Sequence, residues 1–241
     1  MIVAIDAGNS RIKWALHDGR QWLDRGVLAT AEVGRLAATA SRWPANARAV
    51  VCNVAGAAVS EALSSVLAGR CAGAAFLQAS AEACGVRSGY EMPGQLGADR
   101  WAALIGARAV LGNACVVVCA GTATTVDLLD GEGFFRGGLI LPGFDLMRRA
   151  LADNTAQLPL AEGVFRELPR NTVDAIISGC LQAQLGAVER LFRGIASEPG
   201  ARCLLTGGAA PRLAAHLNIP FDLMDNLVLD GLLRFAASAA T

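Results

Sequence analysis

The sequence predicts an α/β protein whose two halves open in the same way. Hydrophobic residues make up 54% of the 241 residues and aromatic residues only 5%, a composition that favours α/β layers over an aromatic-rich β-sandwich. Segments typical of strands and helices alternate along the chain. The segment Ile-Asp-Ala-Gly-Asn-Ser from residue 5 also resembles Val-Cys-Ala-Gly-Thr-Ala from residue 118. In this alignment Gly8 corresponds to Gly121, and the offset of 113 residues is nearly half the chain.

The first half is predicted to begin with a β-hairpin. Val3–Ile5 is a short apolar run, residues 7–10 form a turn cluster, and Ile12–Leu16 resumes with apolar residues at alternate positions. The other elements predicted in this half are strands at Val50–Val54 and Ala74–Leu77 and helices at 31–42, 57–68 and Trp101–Leu111. The last helix ends at Gly112-Asn113, where we place the boundary between a domain of residues 1–113 and one of residues 114–241.

The second half is predicted to contain the same two kinds of element. Its strands are predicted at Cys115–Cys119, Thr125–Leu129, Phe134–Leu141 and Cys203–Thr206, and its helices after Gly143 to about Asn154, at 172–195, at Leu213–Leu217 and at Asn226–Ala237. The stretch from Leu111 to Leu129 is apolar enough to suggest a transmembrane segment, but Asn113, Asp127 and a run of turn-forming residues interrupt it. Two buried strands explain this stretch better, and no membrane partner is expected.

Charge and cysteine content argue against several partners and cofactors. Twenty-one basic residues balance twenty-one acidic ones, and no basic stretch is interleaved with aromatic residues, so a nucleic-acid partner is not expected. The seven cysteines are scattered and odd in number, which indicates reduced thiols rather than a disulfide framework, and no CxxC pair suggests zinc. The N-terminal strand with Asp6 lacks the features of a signal peptide, so we expect a cytoplasmic protein.

Two glycine-containing turns have the composition of phosphate-binding turns. Asp6-Ala7-Gly8-Asn9-Ser10 offers backbone amides, a hydroxyl and a carboxylate that could hold Mg²⁺ through water, and Gly121-Thr122-Ala123-Thr124-Thr125 offers amides and hydroxyls without a charge. A hairpin turn without a ligand would explain either segment alone, because Gly, Asn and Asp are common in such turns. Their matched positions favour a pair that clamps a triphosphate. Because no GxxxxGK[ST] or GxGxxG motif follows a predicted strand, the scaffold differs from the two commonest nucleotide-binding folds.

A third segment, Gly97-Ala98-Asp99-Arg100, directly precedes a predicted helix. It places Asp99 at the helix N-cap and next to the guanidinium of Arg100, a pairing that would keep the carboxylate ionised and fix its orientation. An ionised carboxylate is what a hydroxyl acceptor needs as its general base. Simple N-capping by Asp99 is the alternative, and the segment by itself does not decide between the two.

Taken together, these segments resemble those of the type III pantothenate kinases. The resemblance rests on Asp6 to Ser10 with Lys13, on Gly97 to Arg100, on Gly121 to Asp127 and on Gly137-Gly138-x-Ile140-x-Pro142-Gly143, in that order and over the whole chain. It implies two ribonuclease-H-like half-domains of the actin-like ATPase type, with an ATP cleft between them. It also implies ATP-dependent phosphorylation of pantothenate, the first step of coenzyme A synthesis.

The resemblance also implies roles for individual residues. ATP and its Mg²⁺ are expected to be bound by Asp6, Ala7, Gly8, Asn9, Ser10, Arg11, Ile12, Lys13, Gly121 and Thr122. Pantothenate is expected to be contacted by Tyr90, Gly97, Ala98, Asp99, Arg100 and Thr172, with Asp99 as the catalytic base. A homodimer is expected, with Thr172 of one subunit near Asp99 of the other. The Ala- and Leu-rich helices of the second half support this, because they carry more apolar surface than a small half-domain can bury.

One position departs from the family pattern. The family usually has an Asp two residues before the glycine of the second phosphate turn, where it helps to bind a monovalent cation, and this chain has Cys119. A neutral thiol is a poor ligand for K⁺ or NH₄⁺, so a monovalent cation is a doubtful cofactor here. Phosphate binding by the turn that follows Cys119 is not affected by this substitution.

Two other functions fit the same fold. A nucleotide-dependent regulator or transcription accessory protein would keep the fold without catalysis, but it would need no base, and this chain has Asp6, Asp99 and Arg100. A sugar or acetate kinase would differ only in its acceptor pocket. Phosphoryl transfer mainly needs positioning and charge neutralisation, which the two turns, Mg²⁺ and one carboxylate can supply. A kinase that acts on pantothenate is therefore the predicted function.

Overall fold

The computed structural model describes residues 1–238, which form two compact units. The first unit contains residues 1–112 and 133–135 and the C-terminal segment from Asn226 on, and the second contains residues 113–132 and 136–225. Each unit has β-strands, helices and a buried apolar core, which confirms the α/β prediction. The domain limits drawn from the sequence, 1–113 and 114–241, stay a prediction.

Strands and helices are interspersed along the whole chain. The strands are β1 (Ile2–Ala7), β2 (Arg11–His17), β3 (Trp22–Ala29), β4 (Arg48–Asn53), β5 (Gly73–Phe76), β6 (Glu82–Ala83), β7 (Val86–Ser88), β8 (Cys115–Ala120), β9 (Ala123–Leu129), β10 (Phe134–Pro142), β11 (Arg202–Thr206) and β12 (Phe221–Leu223). The α-helices are α1 (Leu36–Ala40), α2 (Ala57–Leu67), α3 (Ala98–Val110), α4 (Phe144–Asn154), α5 (Thr172–Phe192), α6 (Ala210–Ala214) and α7 (Leu227–Ser238).

The first unit contains a five-stranded sheet in the order β3-β2-β1-β4-β5. Strand β1 pairs antiparallel with β2 and parallel with β4, and its apolar residues Val3 and Ile5 are fully buried. The predicted opening hairpin is thereby confirmed. The turn after β1 lies at the carboxyl end of a central strand, which is the edge where open α/β sheets bind ligands.

Helix α3 packs against α7 in the same unit through two glycines. A Cβ on Gly106 would collide with the backbone oxygen of Leu227, and one on Gly231 would collide with the backbone oxygen of Ala102. Only glycine permits such a close approach of two helix backbones. The contact holds the middle of α3, which carries Asp99 in its first turn.

The second unit contains strands in the order β12-β11-β8-β9-β10. Strand β8 lies between parallel β11 and antiparallel β9, and its run from Cys115 to Val118 is fully buried. A strand covered on both faces is continuously apolar, and this explains why part of the segment 111–129 has membrane-like hydropathy. The prediction of two buried strands there is confirmed.

Two predicted helices differ from the structure in type or bounds, and strand β3 was missed. The helix predicted at 31–42 is a 3₁₀ segment, Thr30–Arg35, followed by the short helix α1. The helix predicted at Leu213–Leu217 is α6, which begins earlier because Pro211 fits the first turn of a helix, where no N–H is needed. Strand β3 was not predicted, because this edge strand of its sheet is largely exposed and carries few buried apolar residues.

Candidate active site

The first phosphate turn connects β1 and β2 and carries two opposite charges at its base. Asp6 and Lys13 are partners in the β1–β2 ladder, so their side chains lie on the same face of the sheet. Burial raises the pKa of Asp6 to about 6; the positive charge of Lys13 opposes this rise, and the negative charge of Asp99 adds to it. The charges of both Lys13 and Asp99 therefore act on the Asp6 carboxylate.

Thr30 holds this turn by hydrogen bonds to two of the turn's carbonyl groups. The Thr30 hydroxyl donates to the Gly8 carbonyl at 2.7 Å, and the Thr30 N–H donates to the Ser10 carbonyl at 3.1 Å. In a planar trans peptide the C=O and N–H groups point to opposite sides. Fixing the Gly8 carbonyl therefore orients the N–H of Asn9, which lies at the exposed tip of the turn.

Asp99 lies in the first turn of α3, and the prediction that it is the N-cap is wrong. The N-cap is Gly97, with Ala98 as the first helical residue, and no side chain caps this end of the helix. The Asp99 Oδ1 atom accepts a hydrogen bond from the backbone N–H of Arg100 at 2.8 Å. A Cβ on Gly97 would lie 2.6 Å from that oxygen, so a larger residue at position 97 would displace the half-buried carboxylate from this position.

The buried Arg100 guanidinium is packed against two aromatic rings. One of its nitrogens donates to the Tyr90 hydroxyl at 2.8 Å. The guanidinium carbon lies 5.6 Å from the Tyr90 ring centre and 5.8 Å from that of Phe135, and the two rings lie 5.3 Å apart. These contacts bring together the side chains of Tyr90 and Arg100, two residues predicted to contact the acceptor.

The second phosphate turn connects β8 and β9 in the second unit. The N–H of Gly121 donates to the Ala123 carbonyl at 2.9 Å, and Gly121, Thr122 and Ala123 are all exposed. A Cβ on Gly121 would lie 3.5 Å from the Ala123 oxygen, an ordinary contact. The space around this position therefore does not require glycine.

Two further predicted residues lie in the second unit. Cys119 is half-buried in β8, opposite Thr125 in the β8–β9 ladder. Among the residues that the structure describes, the buried Thr125 hydroxyl has no hydrogen-bond partner. Thr172 is the exposed first residue of α5; the N-cap is Asn171, whose side chain accepts from the Asp174 N–H at 2.8 Å.

Comparison with known sequences identifies the family of this chain. The model of the type III pantothenate kinase family matches residues 2–194. This chain belongs to that family. The type III pantothenate kinase of Aromatoleum aromaticum is 59% identical over 96% of this chain and 96% of its own length. The type III pantothenate kinase of an Azoarcus species is 51% identical over 100% of this chain and 92% of its own.

Solved structures of distant proteins share the fold of this family member. A protein from Campylobacter jejuni described as a Baf family transcriptional activator is 18% identical, with a TM-score of 0.66 over 99% of this chain and 98% of its own. MreB5 of Spiroplasma citri, solved with ADP, is 12% identical, with a TM-score of 0.56 over 99% of this chain and 96% of its own. At such identities the likeness shows the fold alone, which is that of the actin-like ATPases and sugar kinases.

Sequence reasoning missed three residues that position the site. Thr30 holds the first turn, Phe135 packs against Tyr90 and Arg100, and the buried Gln184 binds Thr124 beside the second turn. Each of them is far along the chain from the residue that it contacts, so no local pattern points to it. A polar residue on the apolar face of α5 was the only available signal for Gln184.

The described part of the chain contains neither a cluster of side chains that could hold a metal ion nor a helix that could span a membrane. Within residues 1–238, no cluster of three or more His, Cys, Asp or Glu side chains could hold a metal ion by itself. None of the described helices has an apolar stretch long enough to cross a membrane.

Proposed function

We propose that this member of the type III pantothenate kinase family transfers the γ-phosphoryl group of ATP to the hydroxyl group of pantothenate. This transfer is the first step of coenzyme A synthesis. The observation that carries the proposal is that Asp6, paired with Lys13 in the β1–β2 ladder, lies in the same unit as Asp99 in the first turn of α3, where the charge of Asp99 helps to raise the pKa of Asp6. A turn that binds phosphate and a carboxylate that accepts a proton must lie close together for direct phosphoryl transfer.

ATP phosphates are proposed to be bound by both glycine turns. Residues Asp6 to Lys13 contribute backbone amides, the exposed Asn9 and Ser10 side chains and the Lys13 ammonium. Gly121 and Thr122 contribute amides and one hydroxyl. Amides and an ammonium neutralise the charge of the transferring group without a change in position during the reaction, which is how kinases gain most of their rate.

Asp6 is proposed to bind Mg²⁺ through water. Mg²⁺ in kinases keeps several waters and is held by one or two carboxylates together with substrate phosphates, so a single carboxylate at the turn fits this ion. When bound, Mg²⁺ supplies positive charge to the phosphates. A monovalent cation fits less well, because Cys119 offers a thiol where a carboxylate or carbonyl oxygen would be needed.

Asp99 is proposed to act as the general base. Its carboxylate accepts the proton of the pantothenate hydroxyl as that oxygen forms a bond to the γ-phosphorus, and the bond from phosphorus to the leaving ADP oxygen breaks. Tyr90, Gly97, Ala98, Arg100 and Thr172 are proposed to contact pantothenate. The contact of the Arg100 guanidinium with the Tyr90 hydroxyl supports this, because it joins two of these residues in one cluster of polar groups.

Measuring ATP consumption against a panel of acceptors tests the function. We expect ADP to form rapidly with pantothenate, and not with hexoses or acetate. The Asp99→Asn variant is the matched control, because it should bind ATP without turnover. If ADP formed only with a sugar, the chain would be a sugar kinase, and if no acceptor stimulated ADP formation while ATP still bound, it would be a nucleotide-binding regulator.

A homodimer with shared acceptor pockets is proposed as the working form. Six large apolar side chains of the second unit are exposed along the chain from β10 to the segment before α5, namely Leu139, Ile140, Leu146, Leu160, Val164 and Leu168. Contact with a second subunit would remove such side chains from water. A two-fold contact would place Thr172 of one subunit near Asp99 of the other.

Mixing two inactive variants tests the shared pocket. In a mixed dimer of Asp99→Asn and Thr172→Trp, one pocket carries both changes and the other carries neither, so activity should return on co-expression. A dimer that stays inactive in the mixture would place each pocket within one subunit. An active monomer on sizing would contradict the interface itself.

The cytoplasm is proposed as the location of the protein. All seven cysteines are free thiols in the structure. Free thiols are usual in a reducing compartment, which is also where ATP is available. Labelling of the native protein in intact cells with a thiol reagent that does not cross membranes should give no signal.

A further inference from the structure

The second phosphate turn rests against Gly143, the N-cap of α4. The Gly143 N–H donates to the Thr122 carbonyl at 2.9 Å. A Cβ on Gly143 would collide with the Gly121 carbonyl oxygen and would lie 2.5 Å from the Thr122 oxygen. Both atoms belong to backbone and cannot rotate away, so the turn keeps this position only if residue 143 is glycine.

Gln184 contacts residues near both partners of the Gly143–Thr122 hydrogen bond. It is fully buried in α5 and its Oε1 accepts from the Thr124 hydroxyl at 2.9 Å, while its Nε2 lies 3.5 Å from the Pro142 carbonyl. Thr124 follows the turn in β9, and Pro142 precedes Gly143. One buried amide therefore ties β9 to the end of β10.

A second glycine supports the turn where β8 ends. Gly207 has a φ of +105°, and a Cβ there would collide with the backbone of Ala120, the last residue before Gly121. The N–H of Ala209 donates to the Ala120 carbonyl at 3.1 Å. The carbonyl groups on both sides of Gly121 are thus bonded to other segments of the second unit.

From these contacts we propose that Gly143 and Gln184 are positioning residues that hold the second turn in its phosphate-binding conformation. Because C=O and N–H of a trans peptide point to opposite sides, anchoring the Thr122 carbonyl orients the N–H of Ala123. The turn has no charged side chain of its own, so its affinity for phosphate depends on how well its dipoles are preorganised. The inference rests on the proposed function, since it assumes that the turn binds ATP.

Replacing Gly143 by Ala tests the first contact. We expect the KM for ATP and the Kd for Mg²⁺-ADP to rise about tenfold or more, the KM for pantothenate to change less than about twofold, and amide hydrogen exchange at residues 120–124 to speed up. The matched control is Gly186→Ala in α5, where a Cβ would meet open space. A Gly143→Ala protein that folds and binds nucleotide like the wild type overturns the role of Gly143.

The pair of variants at Gln184 covers the case in which Gly143→Ala does not fold. Gln184→Leu alone leaves the buried Thr124 hydroxyl without a partner, whereas Gln184→Leu combined with Thr124→Val removes both polar groups and should restore the melting temperature. We expect the double variant to keep a raised KM for ATP and fast exchange in the turn. A double variant with wild-type stability, affinity and exchange would show that Gln184 is only a buried polar residue.

Hydrogen exchange separates this inference from the proposed function. It is measured on the ligand-free protein and needs no activity. If the wild type failed to bind nucleotide or to phosphorylate pantothenate, the function would be wrong, and faster exchange in the variants would still show that both residues hold the turn. If the wild type were active and exchange in the turn unchanged in every folded variant, the inference alone would fail.

Discussion

The two phosphate turns have similar sequences and are stabilised by different physical means. The first turn is accompanied by charged groups, because Asp6 and Lys13 flank it and Asp99 acts on it electrostatically. The second turn has neither an acid nor a base, and backbone groups of neighbouring segments hold it through Gly143. If both turns bind ATP as proposed, the first turn would provide charged groups and the second would provide oriented backbone dipoles.

In both turns the N–H of the glycine closes the turn. The Gly8 N–H donates to the Arg11 carbonyl at 3.0 Å, and the Gly121 N–H donates to the Ala123 carbonyl at 2.9 Å. The two bonds span different numbers of residues, so the turns that the sequence aligns differ in length. We expect ATP binding by the first turn to be sensitive to changes in side-chain charge. Binding by the second turn should be sensitive to changes in backbone shape.

The largest effect is expected for Asp99→Asn, which removes the proton acceptor and leaves both turns intact. We expect kcat to fall by about 10²–10⁴-fold, the usual cost of losing a general base, with the Kd for ATP nearly unchanged. Single-turnover kinetics with pantothenate and a nucleotide titration measure the two quantities. Wild-type turnover in this variant would remove Asp99 from the mechanism.

A smaller effect on rate, but a clear one on affinity, is expected for Gly121→Ala. The added Cβ fits the fold, at 3.5 Å from the Ala123 oxygen, but it would hinder the approach of the phosphate that we propose this turn binds. One hydrogen bond to a charged group is worth about 1.5–3 kcal/mol, so we expect the Kd for ATP to rise about tenfold or more. The melting temperature should stay within about 2 °C of the wild type. Unchanged ATP affinity would argue that this turn does not bind phosphate.

The third prediction concerns activation by K⁺, which would add a charge to the neutral second turn. Because Cys119 offers a thiol, we expect the wild-type rate to be nearly the same in Tris chloride and in KCl at constant ionic strength. Cys119→Asp should introduce a saturable activation by K⁺, and Cys119→Ser, which adds no carboxylate, should not. A steep saturable rise in the wild type would show that another residue supplies the missing ligand.

The smallest effect is expected on stability, at the charged first turn. Burial raises the pKa of Asp6 from an ordinary 3.8 to about 6, so the folded protein binds this proton more tightly than the unfolded chain does. The free energy of unfolding should therefore fall as pH rises from about 4 to about 6. Asp6→Asn should remove this loss and raise the melting temperature of the ligand-free protein by roughly 2–6 °C at pH 7.5, with no gain below pH 4.

Asp18 provides a control of opposite sign for this experiment. Backbone N–H groups of Gln21 and Arg20 donate to its carboxylate and lower its pKa. Its contribution to stability is therefore present above the ordinary pKa of an Asp and is lost as pH falls. Asp18→Asn should lower the melting temperature slightly at pH 7.5. If both variants shifted it in the same direction, the burial of Asp6 would not be the cause.

The sequence predicted those parts of the site that depend on local chain geometry. Both hairpins and both turns were predicted, because alternating apolar residues around a Gly-Asn or Gly-Thr cluster favour a hairpin in almost any context. The helix that carries Asp99 was predicted as well, although its start was placed too late and its cap on the wrong residue. Gly97 caps the helix and leaves space for the carboxylate, a detail that depends on atoms rather than on periodicity.

Tertiary structure alone decided the features that depend on residues far apart in the chain. The raised pKa of Asp6 needs a fold that buries it near Asp99, and α7 packs on α3 through Gly106 and Gly231 although more than 100 residues separate them. The residue types at Gly143 and Gln184 carry no local sign of their contacts with the second turn. By itself, then, the sequence determined the alternation of elements, the two turns and the family, since these follow from short-range patterns. The fold decided which charges meet and what holds the neutral turn, because burial and contact depend on how distant segments pack.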